Sequence, residues 1–323
     1  MQVPLEPISA QARPGVDSPM GMRSDLVSML MPFFPDDRTL QTFETEVGGY
    51  RISMHCEQDD GVLATPADRK ILNLLAGAVA YHIRSGKEPS RHIALDTRTM
   101  VEALRGEAVF GGNDYTRVLD SLNRLMATVI ETEMPLGDGI SRRRRFRWID
   151  AYEHDDKETP GGRRMLGLKI SISEDAFLWM TRTLGFDITR ERFQTITSTR
   201  SSIWRVYEIC LAKLMSERGA ARISLAELRD RIPLSSELKI FKTRTLRSAF
   251  SAVSEKPEMA GHLRLSLERQ TENGFEEIDF RKRVRLESIF VRIRPGPTSL
   301  PALNRILPVN TDLDRIIREE EAP

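Results

Sequence analysis

Residues 113–134, NDYTRVLDSLNRLMATVIETEM, change their apolar period from 3.6 to two with no connecting loop. Tyr115, Val118, Leu119, Leu122, Leu125 and Met126 share one helical face, and TVIETEM then alternates as a strand. A turn, PLGDGIS, leads into a second strand that begins RRRRFRWIDAY. The chain here must be a helix running directly into an antiparallel hairpin. Asn113 stands at the helix N-cap, and the face opposite the apolar stripe shows Thr116, Arg117, Asp120, Asn123 and Arg124.

Two helices precede this unit. In ATPADRKILNLLAGAVAYHIRSG, Thr65 suits the N-cap, Pro66 the first helical position and Asp68 the positive end of the helix dipole. Ile71, Leu72, Leu75, Val79 and Ile83 form the apolar stripe, and Gly86 closes the helix. A short HIAL strand and the two-turn helix TRTMVEALRG follow. Three helices and a hairpin, in that order, describe a winged helix-turn-helix, whose third helix reads DNA and whose hairpin is the wing. The strand MLGLKISIS and a helix capped by Ser173 then complete the first half.

The second half repeats the order. TSTRSSIWRVYEICLAKLMSERG is a long helix, Ser224 and Glu227 form a capping box ahead of a short one, and SELKIFKTRTLRSAFSAVSE is the third. HLRLSLERQ alternates, turns at Asn273-Gly274 and returns through IDFRKRVRLESIFVRIRP. The expected fold is therefore α+β, with two tandem winged-helix domains at 41–185 and 186–295. A mostly disordered arm, 1–40, rich in Pro, Gly and Ser, precedes them, with one apolar island at 26–34; a short acidic tail, 296–323, follows.

Arg142, Arg143, Arg144, Arg145 and Arg147 occupy five of six consecutive positions, in a chain whose formal net charge is only +1. If Met134 faces Arg142, period-two geometry pairs Arg143 with Glu133 and Arg145 with Glu131, and turns Phe146 and Trp148 inward. That leaves Arg142, Arg144 and Arg147 without local acids. A phosphate backbone, with one charge per roughly 1.7 Å of duplex axis, resolves such crowding; the bland alternative is a solvated edge that deters strand pairing. On the second third helix, Lys239, Lys242, Thr243, Arg244 and Arg247 stand with no acid between Lys239 and Arg247. In a major groove these side chains, with Asn113, Thr116, Arg117, Asp120 and Arg124 of the first, are the candidate contacts, more of them to phosphates than to bases. Local charge supports this: residues 36–60 hold seven acids against two arginines, whereas 182–247 hold fourteen Lys/Arg against seven Asp/Glu.

Several stretches resemble the plasmid replication initiators of the RepA type. GVLATPADRKIL (61–72) is similar to that family's entry to its first helix, and YTRVLDSLNRLMATVIET (115–132) to its third helix and following strand. LKISISEDAFLWM resembles the close of its first domain. ITRERFQTITSTRSSIWRVYEICLAK (188–213) resembles the junction into a helix carrying Arg205, Tyr207 and Glu208. The resemblance implies sequence-specific binding of double-stranded DNA at origin repeats and recruitment of host initiator and replicative helicase proteins. It also implies repression of the chain's own promoter and a monomer–dimer equilibrium. The rival readings are a winged-helix transcriptional repressor with no initiation role, and a scaffold that binds proteins.

No enzymatic activity, cofactor or metal is expected. The five histidines form no pair flanking one hydrophobe, as a nickase needs, and Gly86-Lys87-Glu88 is not a phosphate-binding loop. Asp150, Glu153, His154, Asp155 and Asp156 read as a solvated loop. Cys56 and Cys210 form neither a disulfide framework nor a zinc pattern. The start, MQVPLEPISAQARPG, has no secretory pattern, and ILNLLAGAVAYHI (71–83) is too short to span a bilayer. The expected location is the bacterial cytoplasm, in association with nucleoid or plasmid.

Overall fold

The computed structural model describes residues 21–96, 100–101, 112–137, 140–159, 162–217, 219–232, 234, 236–298 and 300–306. The chain is a mixed α and β structure in which one continuous set of buried side chains runs from Met22 to Ile306. In the first half, α2 (Pro66–Arg84) and α3 (Gly112–Ala127) pack on each other, and α3 runs directly into an antiparallel sheet of β2 (Thr42–Val47), β3 (Tyr50–Cys56), β5 (Thr128–Gly137) and β6 (Ile140–Phe146), in the order β2-β3-β5-β6. A second sheet, β4-β8-β7, is built from β4 (His92–Asp96), β7 (Ile149–Thr159) and β8 (Gly162–Ile172) and precedes α4 (Glu174–Arg182).

The second half contains α5 (Arg190–Thr197), α6 (Ser201–Glu217), β10 (Ala221–Ser224) and α7 (Leu225–Asp230). A helical run that we call α8 follows, in which a π-helical stretch, Phe241–Leu246, joins Leu238–Ile240 to Arg247–Glu255. After α9 (Pro257–Ala260) come β11 (Leu263–Thr271), β12 (Gly274–Ile278) and β13 (Ile289–Pro295), giving the sheet β10-β13-β11-β12. The turn before β12 rests on Gly274, whose φ of 122° suits no other residue well.

Local chemistry explains the main elements. At the start of α2 the Asp68 carboxylate accepts the Thr65 N–H at 2.7 Å and its hydroxyl at 2.9 Å. Ser173 caps α4 by accepting the Ala176 N–H, and Ser224 caps α7 by accepting that of Glu227. The return half of the box expected there is absent: the Glu227 carboxylate instead holds Arg231 at 2.9 Å. The helix expected over 97–106 lies mostly outside the described residues.

Four expectations change. Residues 21–40 are not an arm: β1 (Met22–Asp25) pairs antiparallel with β9 (Gly185–Ile188), and α1 (Leu26–Leu30) packs on α6. Met22, Leu26, Met29, Phe33 and Phe34 are buried, the two phenylalanines against Phe146, Trp148 and Trp179. Pro and Gly make this segment look irregular, but its apolar residues are paired by chain more than 100 positions away. Residues 1–20 and 307–323 lie outside the described residues. Within the acidic stretch 36–60, residues 42–56 form a hairpin, its turn made by Gly48 and Gly49 at φ of 60° and 82°. The strand expected from Arg142 onward is two strands, because the chain passes between sheets at Arg147–Trp148. The run Asp150–Asp156 lies in β7, not in a loop. The return strand after Gly274 also divides, with β12 on one side of β11 and β13 on the other.

Candidate nucleic-acid interface

The arginine hairpin has the expected register. Met134 faces Arg142, Glu133 faces Arg143, Glu131 faces Arg145, and Ile130 faces Phe146. Arg143 reaches Glu133 at 3.3 Å, and Arg145 reaches Glu131 at 3.5 Å. Ser141 and then Arg143 hold the Glu133 carboxyl below the usual carboxylate range. Phe146 and Trp148 are buried. Arg147, expected to lack an acid, has one: Glu57, just beyond β3, takes Arg147 at 2.8 Å and Arg145 at 3.2 Å. Period-two alternation places Arg142 and Arg144 on the face of Phe146, past the edge of the core. Arg144 is exposed and makes no ion pair among the described residues.

On α3 the candidates divide. Thr116, Arg117 and Asp120 are exposed, and Arg117 is 69% exposed with its guanidinium 3.8 Å from Asp114. Asn113, expected as the cap, lies in the first turn of the helix; its side chain is outside the described residues. Arg124 is only partly exposed, and its guanidinium is engaged within the protein. Its Nε and Nη2 donate to the two oxygens of buried Asp68 at 2.9 and 2.7 Å, and this hydrogen bonding raises its pKa. Arg124 therefore ties α3 to the start of α2. Between these helix ends lies an open groove of about 520 Å³, lined by Thr65, Lys70, Asp114, Arg117, Asp120 and Arg124 among others.

On α8 the first turns expose Lys239, Ile240, Thr243, Arg244, Arg247 and Ser248, and the last expose Ser251, Ser254 and Glu255. Lys242 is not among them. Its side chain is buried, burial lowers its pKa, and its ammonium donates to the Lys282 carbonyl at 3.3 Å. That bond, with Phe250 edge-on to Phe280 at 5.0 Å, fastens the loop after β12 beside α8. The loop carries Arg281, Lys282, Arg283 and Arg285, all exposed. Sequence reading passed over these four as part of a return strand; the break in alternation at RKRVR was the available signal. Lys282 is held by Glu276 at 2.6 Å. Among the described residues no group of three or more His, Cys, Asp and Glu is placed to hold a metal ion, and no helix is long and apolar enough to cross a membrane.

Both halves thus bring a helix with exposed cations together with a basic hairpin or loop. A crystal structure of selenomethionine derivatives of domain 2 and domain 3 of RctB is similar to this chain. Its TM-score is 0.52 at 16% identity, covering 85% of this chain and 97% of that one. A second crystal structure, of RctB domains 2-3, gives 0.48 at 15% identity over 84% and 97%. No curated protein matches the sequence. The family model for replication initiator protein A matches residues 23–257, nearly three quarters of the sequence, and the chain belongs to that family.

Proposed function

We propose that this protein initiates plasmid replication by binding double-stranded DNA at origin repeats through two tandem winged-helix modules. In the first, α3 is the reader and the β5–β6 hairpin the wing; in the second, α8 is the reader and the loop 279–285 its basic flank. The observation that carries the reading is the solvent face of α8. Lys239, Arg244 and Arg247 stand there without an acid among them, beside Arg281, Arg283 and Arg285. Six cations of one sign on adjacent elements favour a polyanion.

The side chains take different parts. Thr116, Arg117 and Asp120 lie where base edges are read, with Asn113 at the same helix end. Arg142 and Arg144 meet phosphates. Arg143, Arg145 and Arg147 exchange exposed carboxylates for phosphate, a small loss because such surface pairs contribute little. Thr243, Arg244 and Arg247 enter the second groove. Arg124 and Lys242 support the readers from behind.

The chain itself performs no covalent step and needs no cofactor. Opening and unwinding come from host initiator and replicative helicase proteins that it recruits. Binding at its own promoter represses its synthesis, and a monomer–dimer equilibrium sets which activity prevails. It works in the bacterial cytoplasm, on nucleoid or plasmid DNA. Membership of the initiator family supports the replication role. The test is a plasmid whose only replication functions are this gene and its flanking DNA, with a footprint of the purified protein on the same DNA. Establishment of the plasmid and protection of repeated sites are expected. Protection without replication leaves a repressor, and no protection overturns the reading.

A further inference from the structure

Ile240 is one of five large apolar side chains that stand exposed among the described residues, the others being Tyr50, Ile140, Leu184 and Phe275. Isolated exposed apolar residues are ordinary and by themselves mean little. The setting of Ile240 is not ordinary. It is 41% exposed and lies on the cationic face of α8. Lys239 precedes it, and Thr243 and Arg244 follow one turn later, at the i+3 and i+4 positions that adjoin it on a helix surface. It is the third residue of the helical run, the end at which reader helices meet base edges.

Two further features frame it. The helix widens into its π-helical stretch immediately after Ile240, and such stretches often mark functional positions. The Thr243 hydroxyl donates back to the Lys239 carbonyl at 3.0 Å, so its one proton is spent within the helix. The result is an apolar spot enclosed by side chains that would be drawn to phosphates.

We infer that Ile240 is a specificity-determining contact: it packs on the C5-methyl group of a thymine in the major groove. Thymine alone among the bases presents a methyl group there. The surrounding cations fix the helix on the backbone without regard to sequence. The isoleucine then removes one methyl group from water only where a thymine lies beneath it. The inference rests on the reading of α8 as a DNA-binding helix.

The test uses the full chain and duplexes that it selects from a random-sequence pool. In the tightest duplex each thymine is replaced in turn by deoxyuridine, which deletes the methyl group and nothing else. One replacement should weaken the wild-type protein about four-fold, the worth of one buried methyl group. With Ile240→Ala that replacement should become silent while every other behaves as in the wild type, and Ile240→Val should retain part of the preference. The salt dependence should not change in either variant, because no cation has been removed. A wild-type protein indifferent to uracil at every position overturns the inference, as does an Ile240→Ala protein still sensitive at the same thymine. In both results DNA binding persists, so the reading of α8 survives. If the protein selects no duplex, that reading falls first and the inference with it.

Discussion

Arg124 lays its Nε and Nη2 on the two oxygens of Asp68, which is 0% exposed and also accepts the Thr65 N–H and hydroxyl. One carboxylate thus caps α2 and clamps α3. Removing the guanidinium strands an anion in the interior, where breaking a buried pair costs about 3–5 kcal/mol. Arg124→Ala should lower the denaturation midpoint accordingly, and Arg124→Lys should recover only part, since an ammonium cannot match both oxygens. A variant of wild-type stability that bound DNA poorly would return Arg124 to the groove.

Glu57 holds Arg145 and Arg147 together, and on the proposed reading both leave it to meet phosphate. Glu57→Gln should therefore tighten binding on all sequences and steepen its dependence on salt. With about six phosphates neutralised, the wild-type log–log slope should be near −5. Replacing Arg142 to Arg145 by alanine should flatten that slope by about two to four. An unchanged slope would falsify the assignment of this hairpin as the wing.

What could be read in the sequence depended on how local its cause is. The hairpin register was legible because Phe146 and Trp148 must turn inward, and alternation then assigns each arginine a partner. The stripe of α3 and the caps at Thr65 and Ser173 were legible for the same reason. The segment 21–35 was not: Met22, Phe33 and Phe34 are buried by β9, α6 and the aromatic side chains at 146, 148 and 179, none of which is near in sequence. Glu57 was invisible as a partner of Arg147 because 90 residues separate them. Arg124 shows the limit of helical periodicity: it lies off the apolar stripe of α3, yet a buried carboxylate draws it in. Lys242 shows the limit of residue type: four positions before Leu246 and seven before Ala249, it lies on the apolar stripe of α8, with a carbonyl to meet its ammonium.

On the proposed reading, Arg244 and Arg283 should separate base reading from phosphate contact in the second half. Arg244 stands on the helix face and Arg283 on the loop fastened beside it. Arg244→Ala should change preference among sites, costing about 1–3 kcal/mol on the best duplex and little on random DNA. Arg283→Ala should weaken binding equally on every duplex and reduce the salt slope by about one. Competition binding with selected and random duplexes at two salt concentrations distinguishes them. A uniform loss for Arg244→Ala makes it a phosphate contact.

His262 gives the fold a dependence on pH that is separate from DNA. Its ring lies between the Tyr207 hydroxyl, 2.7 Å from Nδ1, and the Arg192 guanidinium at Nε2. A guanidinium can only donate, so Nε2 accepts and Nδ1–H donates to the tyrosine oxygen, which fixes a neutral tautomer. Burial first, and then the Arg192 charge, push its pKa down to about 4 from 6.5. Above pH 6.5 neither the folded nor the unfolded chain protonates this ring, and the stabilisation is fully present. Between pH 6.5 and about 4 only the unfolded chain takes the proton, so stability falls as pH falls. At 1.36 kcal/mol per pKa unit the loss by pH 4.5 is about 2.5 kcal/mol. Carboxylates also titrate in this range, so the informative quantity is the stability of the wild type minus that of His262→Gln. That difference, from urea unfolding at pH 7 and pH 4.5, should shrink by about 2.5 kcal/mol; a difference independent of pH would mean that the imidazole is protonated in the native protein and that Arg192 lies elsewhere.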